Sequence, residues 1–446
     1  MSPAGVVSFE EARHIVEQRA AMVCATEVES VDLLAARGRV LAEALLADRD
    51  FPPFPRATRD GYAVRAADVQ DVPARLQVIG EVRAGSSVEG VGASITVNRG
   101  EAASIMTGAP LPAGADAVVM VEYTAEIPHP NAAKGAALGW GTLERCVEIQ
   151  RRVESGENFV PQGAEARAGH LLVNKGRRLD HALIGLAAAV GKGRVQVFRK
   201  PRVAVLSTGD ELVGIDATPG AAQIRNSNSY SLAAQIEESG GEAVRLPIAP
   251  DEPARLRALI EEGLSCDLLL LTGGVSMGKY DLVEQVLAGL NAEFYFTGAK
   301  IQPGRPVVFG SCGADTLARV LAADQQPART GVSAPCYFFG LPGNPVSTMV
   351  TFRLFAQPMI EALEGATPEP LIFLKARLKS EVRTKIGLTR FLPALISGEF
   401  ENAEVELASW QGSGDIAALA RANCYLVIPP DRERIEAGEL ASVLMS

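Results

Sequence analysis

The chain has 446 residues, with 43 Lys and Arg against 53 Asp and Glu, a formal net charge of −10. Hydrophobic residues make up 47% and charged residues 22%, which excludes disorder as the main state. At roughly 100–200 residues per domain, the length predicts two to four folding units. An acidic balance without any Lys/Arg block argues against nucleic acid or an anionic membrane as the main partner. An anionic ligand must then be met by a few placed cations, by helix ends or by a bridging metal. No stretch approaches the ~18 apolar residues of a membrane span. Glu10 and Glu11 stand where a secretory leader needs its apolar core, so the expectation is a protein of the cytoplasm. Cys24, Cys146, Cys266, Cys312, Cys336 and Cys424 form no C-x-x-C pair. With His14, His129, His170 and His181 equally scattered, there is no zinc signature and no catalytic histidine is assigned. Buried thiols are expected, and any metal is expected on oxygen ligands, as Mg²⁺ is.

Residues 8–46 read as helical. Ser8 and Glu11 form a capping box, Ala12, Ile15 and Val16 share a face, and a second amphipathic stretch runs from about Val31 to Leu46. Pro52, Pro53 and Pro55 then exclude a helix and mark an inter-domain crossing at 50–64. From about 60 to 150, short runs such as LQVIGEV, ASITV and ADAVVMVEY predict a small β-rich domain with an exposed insertion at 128–143. A helix over Asp180–Val190 and a strand over Arg194–Arg199 lead into Pro201.

Residues 201–365 alternate strand and helix signals. VAVLS (203–207), EAVRLPI (242–248), LLLLT (268–272) and CYFFG (336–340) are strands; helices are predicted at 228–239, after Pro253, at 281–290 and at 345–364. AEFYFTG and PVVFGS form a hairpin-like pair, followed by an insertion at 319–335. The pattern specifies a mostly parallel, doubly wound sheet, and residues 371–446 return to short β segments as a second small β domain.

In such a sheet, ligands bind outside the carboxyl ends of the strands. Three strand-to-helix loops there are unusual: Thr208-Gly209-Asp210-Glu211, Gly273 to Asp281 (GGVSMGKYD), and Leu341 to Ser347 (LPGNPVS). Glycines bring backbone N–H groups close to a ligand, and the helices that follow aim positive dipole ends at phosphate or oxyanion. Glu211, Asp251 and Asp281 would repel a bare phosphate, so carboxylate and phosphate in one cleft imply Mg²⁺ between them. The second loop nearly matches a Walker A motif, but Tyr280 replaces the Mg²⁺-binding Ser or Thr, which argues against a P-loop NTPase.

STGDEL (207–212), GGVSMGKYD (273–281) and LPGNPVS (341–347) resemble signatures of the molybdopterin molybdenumtransferase (MoeA) family, which includes the E domain of gephyrin. RDGYAVR (59–65), MTGAPLP (106–112), QPGRP (302–306) and QGSGDI (411–416) are similar to further family motifs in the same order, so the resemblance spans essentially the whole chain. It implies an elongated helical and dimerisation segment (1–50 plus 151–200), an inserted β-rich domain (51–150), a molybdopterin-binding α/β domain (201–370) and a C-terminal β barrel (371–446). It also implies a homodimer and insertion of molybdate into the dithiolene of adenylylated molybdopterin, with release of AMP. By the same resemblance, Asp60 of the partner subunit and Thr107 line the cleft with Glu211 and Asp251. Asp281 and Glu211 hold Mg²⁺. Gly273, Gly274, Ser276, Gly343 and Asn344 contact the pterin nucleotide, and Arg305, Ser347, Arg390 and Ser413 surround molybdate.

Two motifs depart from the family pattern. Where K-P-G-K-P is common, Gln302 and Arg305 replace both lysines, so one fixed charge is lost and the other becomes planar. Lys300, two residues upstream, is the nearest cation to compensate. An arginine-rich N-x-R-R-R-G-E-D stretch is here Asn158 to Glu165 without the arginines, leaving the choice of molybdate or tungstate open. Two other functions stay open at this point: molybdopterin adenylylation, the preceding pathway step and a candidate partner activity, and a non-catalytic pterin-binding scaffold.

Overall fold

The computed structural model describes residues 5–86, 95–128, 145–273, 282–313 and 335–446. The chain divides into two compact units, one of Met1–Glu43, Lys175–Ile184 and Arg194–Ser446, the other of Ala44–Asn174 and Gly185–Gly193. The insertions read at 128–143 and 319–335 fall almost wholly outside the described residues.

Helix α1 (Phe9–Ala20) starts where the capping box places it, with Ser8 Oγ accepting from the Glu11 N–H at 3.1 Å. The second helix expected between Val31 and Leu46 does not form. Val28–Asp32 is a strand paired antiparallel with Arg194–Phe198, Leu33–Ala36 is a single 3-10 turn, and Gly38 turns the chain at a φ of +77°. Pairing with a distant β-branched segment outweighs the local helical period there.

The second unit is built on six strands: β1 (Gly61–Val64), β2 (Ala74–Val82), β3 (Glu101–Ile105), β4 (Ala117–Met120), β5 (Thr124–Pro128) and β6 (Arg145–Ile149). They form one sheet in the order β4-β1-β3-β2-β6-β5, antiparallel except for the β2–β3 pair. Alternation splits its apolar residues between two faces: Tyr62, Val64, Val119 and Val147 pack on one side, Ala63, Val118, Ala103 and Ile105 on the other. The expected crossing at 50–64 is thus shorter than read, because Gly61–Val64 is an inner strand of this sheet.

Helix α2 (His181–Ala189), whose residues from Gly185 on are counted with the second unit, begins at the cap Asp180, whose Oδ1 accepts from the Leu183 N–H at 2.8 Å. The α/β layer holds strand β7 (Arg202–Ser207), helix α3 (Asn228–Glu238), strand β8 (Glu242–Arg245), helix α4 (Pro253–Gly263), strand β9 (Leu268–Thr272), helix α5 (Leu282–Gly289), and strands β10 (Ala292–Phe296), β11 (Val308–Cys312) and β12 (Cys336–Leu341). The sheet order is β8-β7-β9-β12-β11-β10, parallel across the first four strands and antiparallel at the β12–β11–β10 edge. Strands β7, β9 and β12 are almost wholly buried and read as unbroken apolar runs, because helices cover both faces.

The helix expected at 345–364 is one continuous run, α6, made of Pro345–Thr351, a π-turn at Phe352–Ala356 and Gln357–Leu363. Pro358 has no N–H to give the Leu354 carbonyl four residues back, so the helix widens before it. Arg13 of α1 fills the gap, its Nη1 donating to Leu354 O at 2.7 Å.

Strands β13 (Phe373–Leu378), β14 (Thr389–Ser397), β15 (Glu404–Leu407), β16 (Cys424–Ile428) and β17 (Leu440–Met445) close a five-stranded barrel in the order β14-β15-β13-β17-β16-β14. Ala394, Val405, Leu426 and Val443 fill its interior. Of the cysteines, only Cys24 is exposed; the other five are buried thiols as expected.

Candidate active site

Register brings the three loops together. Ser207 of β7 lies level with Thr272 of β9, and Thr272 with Leu341 of β12. The residues that follow these strand ends, Thr208, Gly273 and Pro342, therefore lie side by side at the carboxyl edge of the parallel sheet. They border a cavity of about 390 Å³ lined by Thr208, Glu211, Asn228, Gly273, Gly343 and Asn344, among others. Gly273 (φ +90°) runs so close to the first loop that a Cβ there would strike the Thr208 carbonyl oxygen. Only glycine fits both the backbone angle and the gap.

The cavity floor is a neutral, buried hydrogen-bond network. Asn228, at the start of α3, donates through Nδ2 to Thr272 Oγ1 (3.0 Å) and to the Gly343 carbonyl (2.6 Å). One side chain thus ties the start of α3 to the end of β9 and to the third loop. Its Oδ1 is buried and has no hydrogen-bond partner among the described residues. A buried amide oxygen left bare at a cavity wall is a standing acceptor for a ligand donor. Asn226 supports the same corner: its Oδ1 accepts from Ser207 Oγ at 3.1 Å and from the Ser229 N–H at 3.2 Å.

Carboxylates gather at the rim. Glu211 is exposed at the cavity mouth, its carboxylate folded back over Gly209. Asp251 accepts from Thr208 Oγ1 at 3.3 Å, and its own N–H donates to Asp210 Oδ1 at 3.1 Å, which draws this acidic group against the first loop. Asp251 does not cap α4; Glu252 is the residue that precedes that helix. Asp281, Gly274 and Ser276, read as site residues, lie outside the described residues. Among the described residues, no cluster of three or more His, Cys, Asp or Glu forms a ready metal cage.

A polar path leads from the cavity toward the barrel. Asn344 Nδ2 donates to Ser413 Oγ at 2.9 Å, and the Val346 N–H donates to the Ser413 carbonyl at 3.0 Å. Ser347 is buried in the first turn of α6. Gly304 packs against Ser347 and Thr351, which seats the 302–306 turn on the same helix end. Beside that turn, Ile301–Gln302 pairs with Thr389 and Arg390 of β14. Arg390 is only 6% exposed, and burial pulls its pKa down from the ordinary value. It donates through Nε to Gln302 Oε1 (2.9 Å) and through Nη1 to the Leu388 carbonyl (3.1 Å), with no carboxylate partner among the described residues. Arg305 is exposed on the turn.

Asp60 and Thr107 belong to the other unit, where the Thr107 N–H donates to Asp60 Oδ1 at 2.6 Å. They meet because β1 and β3 are antiparallel neighbours with Gly61 opposite Ile105. That backbone donor holds the exposed Asp60 carboxyl below its usual pKa.

Reading the loops as sequence missed Asn226, Asn228 and Thr272, and it saw Gln302 only as a lost charge. The signal for the first two was the amide-rich run Arg225-Asn226-Ser227-Asn228-Ser229 just before a helix, which was read only as a turn and helix start.

Comparison with known proteins agrees along the whole chain. Residues 7–191 match the MoeA N-terminal region (domains I and II), residues 204–362 the probable molybdopterin binding domain, and residues 375–445 the MoeA C-terminal region (domain IV). A molybdopterin molybdenumtransferase from Nostoc sp. is 33% identical over 428 residues, covering 94% of this chain and 88% of the relative. One from Bacillus subtilis is 31% identical over 425 residues, covering 94% and 90%. The crystal structure of a molybdopterin biosynthesis MoeA protein from Pyrococcus horikoshii is 32% identical with a TM-score of 0.67, each chain covered to 99%. A second structure from that organism is 26% identical with a TM-score of 0.72, covering 99% of this chain and all of the other. Architecture, motif order and nearly full-length similarity agree: this chain belongs to the MoeA family of molybdopterin molybdenumtransferases.

Proposed function

We propose that this protein inserts molybdate into the dithiolene of adenylylated molybdopterin, releasing AMP and the finished molybdenum cofactor. The observation that carries the reading is two polar groups at the start of one helix. The amide-floored cavity meets it through Asn344 and Ser413, and the 302–306 turn seated on the same helix end carries the partner of a buried arginine that has no carboxylate among the described residues. The cavity suits a flat, hydrogen-bonding pterin: Asn228 offers a bare acceptor, while Gly273 and Gly343 let the backbone approach. At the other end, Arg390, Ser347 and Ser413 offer a planar cation and hydroxyls to a tetrahedral dianion. Gln302 and Arg305 leave molybdate and tungstate both admissible on charge.

Exposed oxygen donors at the rim fit Mg²⁺, which prefers carboxylate and water oxygen to nitrogen or sulfur. Glu211 would hold it, with Asp251 alongside and Asp281 as the further carboxylate of the motif. When bound, the ion would offset the phosphate charges facing that rim and polarise the phosphoanhydride. The chain's own part is positioning and electrostatics. The floor orients the pterin, Arg390 and the hydroxyls hold the oxyanion beside it, and no side chain need act as a covalent nucleophile. Asp60 and Thr107, as a pair held by a backbone hydrogen bond, would complete the cleft of a second subunit, so the working form is a homodimer. The adenylyltransferase of the preceding step is a candidate donor partner, and the cytoplasm is the expected site of action. Among the described residues, no helix is long and apolar enough to cross a membrane.

The deciding experiment incubates the purified protein with adenylylated molybdopterin, Mg²⁺ and molybdate and measures AMP. Release that requires both molybdate and Mg²⁺ is expected. Pterin binding without AMP release would indicate a scaffold. Accumulation of adenylylated pterin from ATP and molybdopterin alone would indicate the adenylyltransferase.

A further inference from the structure

Arg390 carries a buried positive charge, yet the group that holds it is neutral. A buried guanidinium is normally matched by a carboxylate, because leaving the charge uncompensated is costly. Here Nε is bound by the Gln302 carboxamide and Nη1 by a backbone carbonyl. Both partners are oxygen dipoles that fix the direction of the guanidinium plane without cancelling its charge. The clamp is geometrically determined as well. Gln302 and Arg390 are opposite one another in a parallel strand pair, reinforced by the Thr389 N–H donating to the Lys300 carbonyl at 3.0 Å. An N–H donor on Arg390 requires the oxygen of the Gln302 amide, so the amide NH₂ becomes the outer end of the group.

We propose that Gln302 is a positioning residue for the oxyanion: it clamps Arg390 through Nε, keeps its charge unspent and leaves the Nη2 edge for the anion. The inference rests on the transferase reading for the identity of the anion, and it concerns a residue for which the cavity gives no direct contact. It explains how a site with a glutamine on this turn still holds a dianion. A lysine at 302 would add charge but would repel Arg390; a glutamine turns the buried cation in a fixed direction instead.

The decisive variants are Gln302→Glu and Gln302→Ala, compared with wild type in the full-length protein. A glutamate can grip the guanidinium at least as firmly as glutamine, since carboxylate and guanidinium match bidentately, but it neutralises it. If Gln302 served only to hold β14 in place, glutamate would behave as wild type. The clamp predicts the opposite. Direct titration with molybdate, followed by calorimetry, weakens roughly tenfold or more in Gln302→Glu and by less in Gln302→Ala, while thermal unfolding of the glutamate variant is unchanged or raised. In the AMP-release assay, the KM for molybdate rises while the KM for adenylylated molybdopterin stays constant. Wild-type molybdate affinity in Gln302→Glu overturns the clamp, as does a wild-type protein that binds no molybdate. Loss of AMP release in wild type with molybdate binding intact, and sensitive to Gln302→Glu, overturns the transferase reading and upholds the clamp.

Discussion

The two edges of the central sheet solve the problem of buried polarity in different ways. At the carboxyl edge, Asn228, Thr272 and the Gly343 carbonyl form a neutral network facing a cavity, and one acceptor is left bare. At the amino edge the buried groups are charged and face protein. Asp267 Oδ2, just before β9, accepts from the Arg202 N–H at 2.7 Å and from Arg199 Nη1 at 3.2 Å. Glu364, at the end of α6 and 0% exposed, meets Arg178 Nη2 at 2.7 Å. Among the described residues neither of its carboxylate oxygens has a hydrogen bond of good geometry, so when Glu364 is ionised the contact is an ion pair. Arg178 spans further, donating to the Gly38 carbonyl at 2.6 Å and the Ser239 carbonyl at 3.1 Å. Gly240 lies so close that a Cβ would strike the Glu364 carboxylate. Charges stitch distant segments together where nothing has to enter; uncharged amides line the edge where a ligand must replace water. A charged floor would cost the ligand its desolvation, whereas a neutral one costs little.

Removing a cation from the amino edge gives the largest stability effect. Arg178→Ala strands the Glu364 carboxylate and should lower the unfolding free energy by about 3–5 kcal/mol, read by urea titration at pH 8. A loss below about 1 kcal/mol would reduce the pair to a bystander. The next effect is a pH dependence. Burial pushes the Glu364 carboxyl up to about 7, against the pull of Arg178, Arg39 and Lys200. The folded state therefore holds a proton that the unfolded chain gives up near the ordinary glutamate pKa of 4.5. Stability from this group is present below pH 4.5 and lost as pH rises through 7. Glu364→Gln should remove that decline, so the variant gains on wild type by about 2–3 kcal/mol between pH 4.5 and 8. Parallel stability curves for the two proteins would contradict it.

The smallest stability change belongs to the carboxyl edge. Asn228→Ala removes two hydrogen bonds but also an unmatched oxygen, so a loss of only about 1–2 kcal/mol is expected. Binding of adenylylated molybdopterin should fall about tenfold or more in the same variant. A variant that unfolds as easily as Arg178→Ala but binds normally would erase the contrast between the edges.

Much of this was legible in the residues. The buried strands β7, β9 and β12 announce themselves as apolar runs, since a parallel strand covered on both faces has no polar side to show. Glycine-rich loops after each of them place the candidate site, and Ser8 and Asp180 mark true helix starts. The stretch Val31–Leu46 was misread because its helical period is local, while its pairing with Arg194–Phe198 spans more than 160 residues of chain. The π-turn is half legible: Pro358 signals a break, but nothing near it in the chain foretells that Arg13 supplies the missing donor.

The sequence by itself determined the class of fold, the order of the strands and helices around the loops, and the family, because periodicity, glycine and proline act over a few residues. Only the tertiary structure decided that Asn228 ties the end of β9 to the third loop, that Gln302 faces Arg390 and that Glu364 meets Arg178. Each of those contacts joins residues at least 44 positions apart. Whether a polar side chain buried there is satisfied, charged or left bare depends on which distant partner packing delivers, and local patterning carries no record of that choice.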